Sequence, residues 1–167
     1  MHRILFVCMG NICRSPTAEG VLRYMAERRG IADSFHIDSA GTGNWHVGNP
    51  PDQRASQAAR ERGIDITSLR ARQVDAGDFE LFDLVIAMDR SNHLALLDLA
   101  GQDHSSKVRL MLEYSKQWPG EDVPDPYYGG DHGFDLVLDL IEDACDSLLN
   151  ELSGCLLYTS DAADEDC

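Results

Sequence analysis

The sequence has few basic residues and no long hydrophobic run. Lysine and arginine together number 14, against 29 acidic residues, so the formal net charge is −15. Nucleic-acid binding needs a basic surface, and this balance argues against it. Because the overall field repels anions, an anionic substrate must be attracted locally. No apolar run approaches the roughly 18 residues of a membrane span, and no signal peptide is visible, so we expect no membrane partner.

The cysteines form no secreted disulfide framework. The count of five is odd, which predicts reduced thiols in a cytoplasmic protein. The histidines are scattered, and we interpret the following as surface or structural residues: His46, His93, His104 and His132. The sequence therefore predicts no metal site and no other cofactor.

Apolar segments alternate with amphipathic ones over most of the chain. We predict strands at 3–7, 35–40, 81–88 and 107–111, and helices at 15–29, 52–62, 90–100 and 135–152. This alternation indicates an α/β fold with a parallel sheet, and a ligand site beyond the carboxyl ends of its strands. Cys8, the 39–43 loop and Asp89 each follow a strand, so one edge of the sheet is expected to collect them.

The end of the chain, residues 155–167, differs in composition from the rest. It has four acidic residues, no basic residue and no sustained amphipathic pattern. We therefore predict one domain over residues 1–154, followed by a disordered tail. The string 156–165 resembles translated sequencing adapter, and our hypothesis is that it is not native sequence.

The segment between the first predicted strand and helix carries the strongest chemical pattern. Cys8 ends the strand and Arg14 begins the helix, in a Cys-x5-Arg spacing. Gly10 and Asn11 permit the unusual backbone angles of a tight cradle, and the helix supplies free N–H groups and a positive dipole end. Arg14 can hold two phosphoryl oxygens, and both it and the helix end favour a thiolate at Cys8. Ser15 can donate a hydrogen bond to that thiolate.

This spacing alone is weak evidence, because a buried core cysteine and an ordinary helix-start arginine would give the same pattern. The Gly-Lys-Ser/Thr ending of nucleotide-hydrolysing loops is absent, which disfavours nucleotide hydrolysis. Asp89 precedes a predicted helix, and we interpret it as the N-cap, with bracing of the cysteine loop as the alternative.

A second segment, residues 123–130, supplies a candidate acid. An aryl phosphate leaves as a phenolate whose conjugate acid has a pKa of about 10, so a positioned proton donor assists its departure. Asp125 lies between two prolines on a stiff loop, and Tyr127 and Tyr128 can wall an aromatic slot. The alternative interpretation is a proline-rich surface turn.

Taken together, the chain resembles the bacterial low-molecular-weight protein tyrosine phosphatases over residues 1–154. Several motifs occur in the family's order: Val7-Cys8-x5-Arg14-Ser15-Pro16-Thr17-Ala18-Glu19, Ser39-Ala40-Gly41-Thr42, Asn44-Trp45-His46-Val47-Gly48, Met88-Asp89-x-Ser91-Asn92 and Asp125-Pro126-Tyr127. The resemblance implies a single three-layer α/β domain, in which helices flank both faces of a sheet of four parallel strands.

The resemblance also implies roles for individual residues. Cys8 would be the nucleophile, Arg14 the phosphate clamp and Asp125 the general acid, in hydrolysis of phosphotyrosine on proteins or of other aryl phosphates. The phosphate-binding loop and its support would comprise Met9, Gly10, Asn11, Ile12, Cys13, Ser15 and Ser39. The substrate mouth would be lined by Trp45, Tyr127 and Tyr128. Met9 stands where leucine is commoner in the family, and we expect it to change the pocket wall but not the chemistry.

The implied reaction has two steps and needs no metal. Cys8 attacks phosphorus while Asp125 protonates the phenol, and water then hydrolyses the phosphocysteine with Asp125 as base. The family also implies that Cys13 forms a reversible disulfide with Cys8 under peroxide, which would spare the nucleophile from irreversible oxidation.

Two other functions compete with this interpretation. A thioredoxin-coupled arsenate reductase shares the fold but needs two further cysteines, and none occurs between Cys13 and Cys145. A catalytically silent anion-binding module could use the same cradle, although the joint presence of Cys8, Arg14 and Asp125 weighs against it.

Overall fold

Four strands form one sheet in the computed structural model, which describes residues 1–126 and 132–158. The strand order is β2-β1-β3-β4, and each neighbouring pair is parallel. The strands are β1 His2–Cys8, β2 Phe35–Gly41, β3 Leu84–Ala87 and β4 Val108–Leu110. The helices are α1 Arg14–Arg28, α2 Gln53–Glu61, α3 Asp78–Leu81, α4 Arg90–His104 and α5 Gly133–Tyr158.

The hydrophobic core lies on both faces of this sheet, because successive side chains of a strand point to opposite faces. Ile4 and Phe6 of β1 pack in one cluster, with α1 and α5. Leu5 and Val7 pack in the other cluster, with Phe79 and the apolar side of α4. All four β1 residues are fully buried. The three-layer α/β fold expected from the sequence is confirmed.

Helix α1 starts at the carboxyl end of β1, which brings its N-terminus to the edge of the sheet. Its first nine residues, 14–22, are all buried, its C-cap is Arg29, and the next residue, Gly30, has a φ of 72°. That left-handed angle is the one expected of a helix-ending glycine. No helix in the described ranges is long and apolar enough to cross a membrane.

The predicted elements are present, but several have different ends. The strand expected at 81–88 is shorter, because Leu81 instead ends the one-turn helix α3, which the sequence did not predict. Helix α4 runs beyond residue 100 to His104, with a break at Gly101, where φ is 70°. Helix α5 extends to Tyr158, beyond its expected end at residue 152, and the disorder of the tail stays a prediction. Residues 159–167 lie outside the described ranges, and the domain boundary at 154 stays a prediction.

Candidate active site

A cleft at the carboxyl ends of the strands contains most of the predicted site residues. It is lined by Cys8, Met9, Gly10, Ile12, Cys13, Arg14, His46 and Asp125. The structure therefore places the candidate acid and the candidate nucleophile in one cavity, although they are far apart in sequence. His46, interpreted from the sequence as a surface or structural residue, also lines this cleft.

Cys8 ends β1 with its sulfur surrounded by hydrogen-bond donors. The backbone N–H of Asn11 donates to Sγ at 3.3 Å, and Ser15 Oγ lies 3.0 Å from Sγ. Hydrogen bonds of this kind favour the charged form of an acid, here the thiolate. Cys8 is only 3% exposed, so protein groups rather than bulk water form the hydrogen bonds to its sulfur.

The loop after Cys8 depends on one left-handed residue. Asn11 has a φ of 57° and is the only non-glycine with positive φ in the part of the chain that the structure describes. Gly10, which the sequence predicted to share this unusual conformation, does not have a positive φ. Lack of space explains the glycine at position 10 instead, because a Cβ there would lie 3.0 Å from the ring of His46.

The Asn11 side chain links the loop to two other segments. Its Nδ2 donates to Ser15 Oγ at 2.8 Å and to Ser39 Oγ at 3.0 Å. Its Oδ1 accepts from the backbone N–H of Arg72 at 3.0 Å. Since a backbone N–H can only donate, Arg72 fixes which end of the amide is oxygen. The Asn11, Ser15 and Ser39 network implied by the resemblance is present in the structure, and Arg72 is a partner that sequence reasoning missed.

Arg14 is buried at the start of α1 and joins three segments. Its Nη1 donates to Asp89 Oδ2 at 2.6 Å and to the carbonyl oxygen of Val123 at 2.9 Å. Asp89 also caps α4, because its Oδ1 accepts from the N–H of Asn92 at 2.8 Å. Both interpretations of Asp89 therefore hold, since one carboxylate oxygen caps the helix and the other braces the arginine.

The charge on Arg14 is held firmly. Burial alone would lower its pKa, but the negative groups at Cys8, Asp89 and Asp125 outweigh burial and raise the pKa above its usual value. The guanidinium is therefore cationic at any pH at which the protein functions. This buried cation is the local positive group that an anionic substrate would need in a protein of net charge −15.

Cys13 lines the same cleft in a different environment. Burial raises the pKa of its thiol, and the negative charges of Asp52, Cys8 and Asp125 raise it further. Arg54 opposes this effect only in part. The thiol of Cys13 therefore stays protonated at neutral pH, which does not suit it to be the nucleophile.

The predicted substrate mouth is only partly described. Trp45 is 69% exposed and lies outside the cleft lining, with its ring packed so closely over Gly43 that a Cβ there would overlap it. Met9 is 43% exposed at the rim of the cleft. Tyr127 and Tyr128 lie outside the described residues, so their predicted role stays a prediction. Over residues 1–126 and 132–158, no cluster of three or more histidine, cysteine or acidic side chains is placed to hold a metal ion.

The fold and site define a small α/β protein in which a thiol and a buried arginine lie at the two ends of one loop. The family model for low molecular weight phosphotyrosine protein phosphatase matches residues 3–155. The Bacillus subtilis low molecular weight protein-tyrosine-phosphatase YfkJ is 43% identical over 149 residues, 89% of this chain and 94% of that protein. The mouse low molecular weight phosphotyrosine protein phosphatase is 39% identical over 150 residues, 89% of this chain and 94% of the mouse protein. The chain belongs to the low-molecular-weight protein-tyrosine phosphatase family, as its motifs predicted.

Solved structures agree with this assignment. A protein tyrosine phosphatase of Entamoeba histolytica, with Hepes in its active site, gives a TM-score of 0.88 at 38% identity and covers 92% of this chain and 98% of its own. The Drosophila arginine phosphatase DARP gives a TM-score of 0.81 at 34% identity, over 89% of this chain and 96% of its own. The fold is thus shared with enzymes described as acting on two kinds of phosphorylated side chain.

Proposed function

We propose that this protein hydrolyses phosphotyrosine on proteins, or other aryl phosphates, through a phosphocysteine formed at Cys8. The observation that carries the proposal is one cleft in which Cys8, Arg14 and Asp125 meet. The sulfur there accepts from the N–H of Asn11 at 3.3 Å and has the Ser15 hydroxyl 3.0 Å away, in reach to donate to a thiolate.

In the first step the Cys8 thiolate attacks phosphorus, so an S–P bond forms as the P–O bond to the phenol breaks. Asp125 gives its proton to the departing phenolate oxygen, which avoids the release of a strong base. Nη1 of Arg14 is already engaged with Asp89 and Val123. Its Nε and Nη2 are therefore the groups expected to hold the phosphoryl oxygens.

In the second step water attacks the phosphocysteine and Asp125, now ionised, takes its proton. The S–P bond breaks, inorganic phosphate leaves and the thiolate of Cys8 is restored. Ser15, 3.0 Å from that sulfur, stabilises it as the leaving group.

A reversible disulfide between Cys8 and Cys13 is part of the same proposal. Peroxide would oxidise Cys8 to a sulfenic acid, and Cys13 would then displace water to form the disulfide. Both thiols are free in the structure and line one cleft. We expect wild type to recover activity with a thiol after peroxide treatment. Cys13→Ser should recover much less, and equal recovery would exclude the protective role.

The arsenate reductase alternative has no support from the described cysteines. Cys145 is completely buried in the core, where it cannot exchange disulfides with a partner. We retain as predictions a cytoplasmic location, and a reaction without metal, nucleic-acid or membrane partners.

Phosphoarginine is a second candidate substrate, because the similar Drosophila enzyme is described as an arginine phosphatase. Turnover of matched phosphotyrosine and phosphoarginine peptides separates the two. We expect kcat/KM to favour phosphotyrosine, and the opposite preference would replace the proposed substrate.

The proposed acid is tested with a series of aryl phosphates whose phenols differ in pKa. We expect Asp125→Asn to lose about 10²–10⁴-fold in kcat/KM on phosphotyrosine peptide, which has a poor leaving group. The loss should shrink markedly for para-nitrophenyl phosphate, whose leaving group needs no proton. Glu121→Gln removes an exposed charge from the same segment and is the matched control. Equal losses across the series would exclude Asp125 as the acid, and phosphate binding without turnover in wild type would favour the silent binding module.

A further inference from the structure

A buried acid, Glu19, lies behind the phosphate loop and does not line the cleft. It is 3% exposed, on α1. Its Oε1 accepts from Ser39 Oγ at 2.7 Å, and its Oε2 accepts from Arg23 Nη2 at 2.8 Å. Arg23 is itself anchored to the carbonyl oxygen of Ile37 at 2.8 Å. The two-step reaction gives this carboxylate no direct task.

Counting hydrogens shows that Glu19 determines the direction of a chain of hydrogen bonds. An ionised carboxylate can only accept, so Ser39 must give it its single hydroxyl hydrogen. Ser39 then has only lone pairs for its other partner and accepts from Nδ2 of Asn11, 3.0 Å away. The acid and the loop amide are thus joined through one hydroxyl with a fixed orientation.

Counting the hydrogens in the same way also assigns the hydrogen bonds between Asn11 and the Cys8 sulfur. Asn11 spends its two Nδ2 hydrogens on Ser39 and Ser15, so Ser15 accepts from it. The hydroxyl hydrogen of Ser15 therefore has two acceptors in reach, Cys8 Sγ at 3.0 Å and the carbonyl oxygen of Ala40 at 3.4 Å. The nearer of these is the thiolate.

We propose that Glu19 is a positioning residue that, through Ser39, Asn11 and Ser15, orients a hydroxyl hydrogen toward Cys8 and so stabilises its thiolate. Hydrogen bonds in a buried chain polarise one another, so a full negative charge at one end strengthens the donation at the other. A neutral group at position 19 can donate to Ser39 and so reverse that first link. The inference rests on the proposed role of Cys8 as the nucleophile.

The surroundings of Glu19 indicate that its buried charge serves the site rather than the stability of the fold. The pKa of its carboxyl is raised, chiefly by burial and also by the charge of Asp38, although Ser39 and Arg23 oppose the rise. Keeping an ion in such a place costs stability, which an isosteric glutamine would largely avoid. The ionised acid is therefore better explained by its effect on the loop than by the stability of α1.

The test measures the reactive thiol directly, without substrate. The rate of Cys8 alkylation by iodoacetamide is followed against pH by mass spectrometry of the Cys8 peptide. We expect Glu19→Gln to move the midpoint upward by roughly 0.5–1 pH unit, which is about three- to tenfold less thiolate below the midpoint. Glu27→Gln removes the same charge from an exposed site of the same helix and should leave the midpoint unchanged.

Two further variants make the result decisive. Ser39→Ala interrupts the chain at its centre and should shift the midpoint by itself. Adding Glu19→Gln to it should then produce no further shift, because the two changes act through one chain. Arg23→Gln, at a half-exposed side chain that tolerates change, should give a smaller shift in the same direction.

The inference is overturned if Glu19→Gln keeps the wild-type midpoint, or if its effect adds fully to that of Ser39→Ala. Should Glu19→Gln not fold, as judged by its melting curve, an unchanged midpoint in both Ser39→Ala and Arg23→Gln overturns it equally. If Cys8 is not the reactive thiol at all, the proposed function fails first, and the alkylated peptide shows this separately.

Discussion

Two cysteines in one loop, Cys8 and Cys13, have opposite chemical environments. The sulfur of Cys8 accepts a hydrogen bond from the N–H of Asn11 and lies beside the Ser15 hydroxyl. Cys13 is also next to the N-terminus of α1, yet burial and neighbouring negative charge raise its pKa. The contrast shows that closeness to a helix N-terminus does not activate a thiol by itself.

Among changes to the two cysteines, the largest loss of activity is expected when the nucleophile Cys8 is replaced. We expect Cys8→Ser to lower kcat on para-nitrophenyl phosphate by about 10⁴-fold or more, because no neighbouring group can take over the attack. Cys13→Ser, the matched change in the same loop, should cost less than about tenfold. Similar losses for both variants would contradict the assignment of different roles.

Arg14 lines the same cleft as both cysteines, and its replacement by lysine tests the geometry of the guanidinium rather than its charge. Arg14→Lys should lower kcat/KM by roughly 10²-fold. A lysine cannot contact Asp89, Val123 and two phosphoryl oxygens together. Arg28→Lys, on an exposed part of the same helix, is the control. Near-normal kcat/KM in Arg14→Lys would show that a point charge suffices.

Alkylation of the wild-type protein compares the reactivity of Cys8 and Cys13 without any mutation. Because the pKa of Cys13 is raised by burial, its thiol should be modified at least about tenfold more slowly than Cys8 at neutral pH. Raising the pH increases the rate at Cys8 until its thiolate is fully formed, whereas Cys13 should react only in strong alkali. Mass spectrometry of the two peptides gives both rates, and comparable rates at neutral pH would be inconsistent with the structure.

The smallest expected effect concerns the stability cost of Glu19. Its folded pKa is raised above the unfolded value, so the folded state binds the proton more tightly and stability falls as pH rises through that window. Lowering the pH through the mildly acidic range should therefore increase the Tm of wild type relative to Glu19→Gln, by roughly 1–3 °C. A Tm difference that is independent of pH would show that Glu19 does not titrate in this window.

The fold was largely predictable, because local patterns carry it. The apolar run before Cys8 and the one at 84–88 correspond to the two inner strands of the sheet. The one-turn helix α3 was not predictable, since four residues are too few to show a period. The extension of α5 was missed because the acidic composition of residues 155–167 favoured a tail that begins at residue 155.

The site was predictable only where a motif spans its residues. Cys8 and Arg14 share one short pattern, and the Pro-Asp-Pro context identified Asp125. Arg72 could not be found this way, because it acts through a backbone N–H that carries no sequence pattern. Glu19 lies within the family motif that begins at Val7, but its contact with Ser39 depends on how α1 packs against β2.

The most direct measurement is a rapid acid quench during turnover of a phosphotyrosine peptide, followed by mass spectrometry of the enzyme's own peptides. We predict one phosphoryl group on Cys8, absent in Cys8→Ser and absent without substrate. Continued turnover with Cys8 always unmodified, or a phosphoryl group on a different residue, would contradict the proposed mechanism.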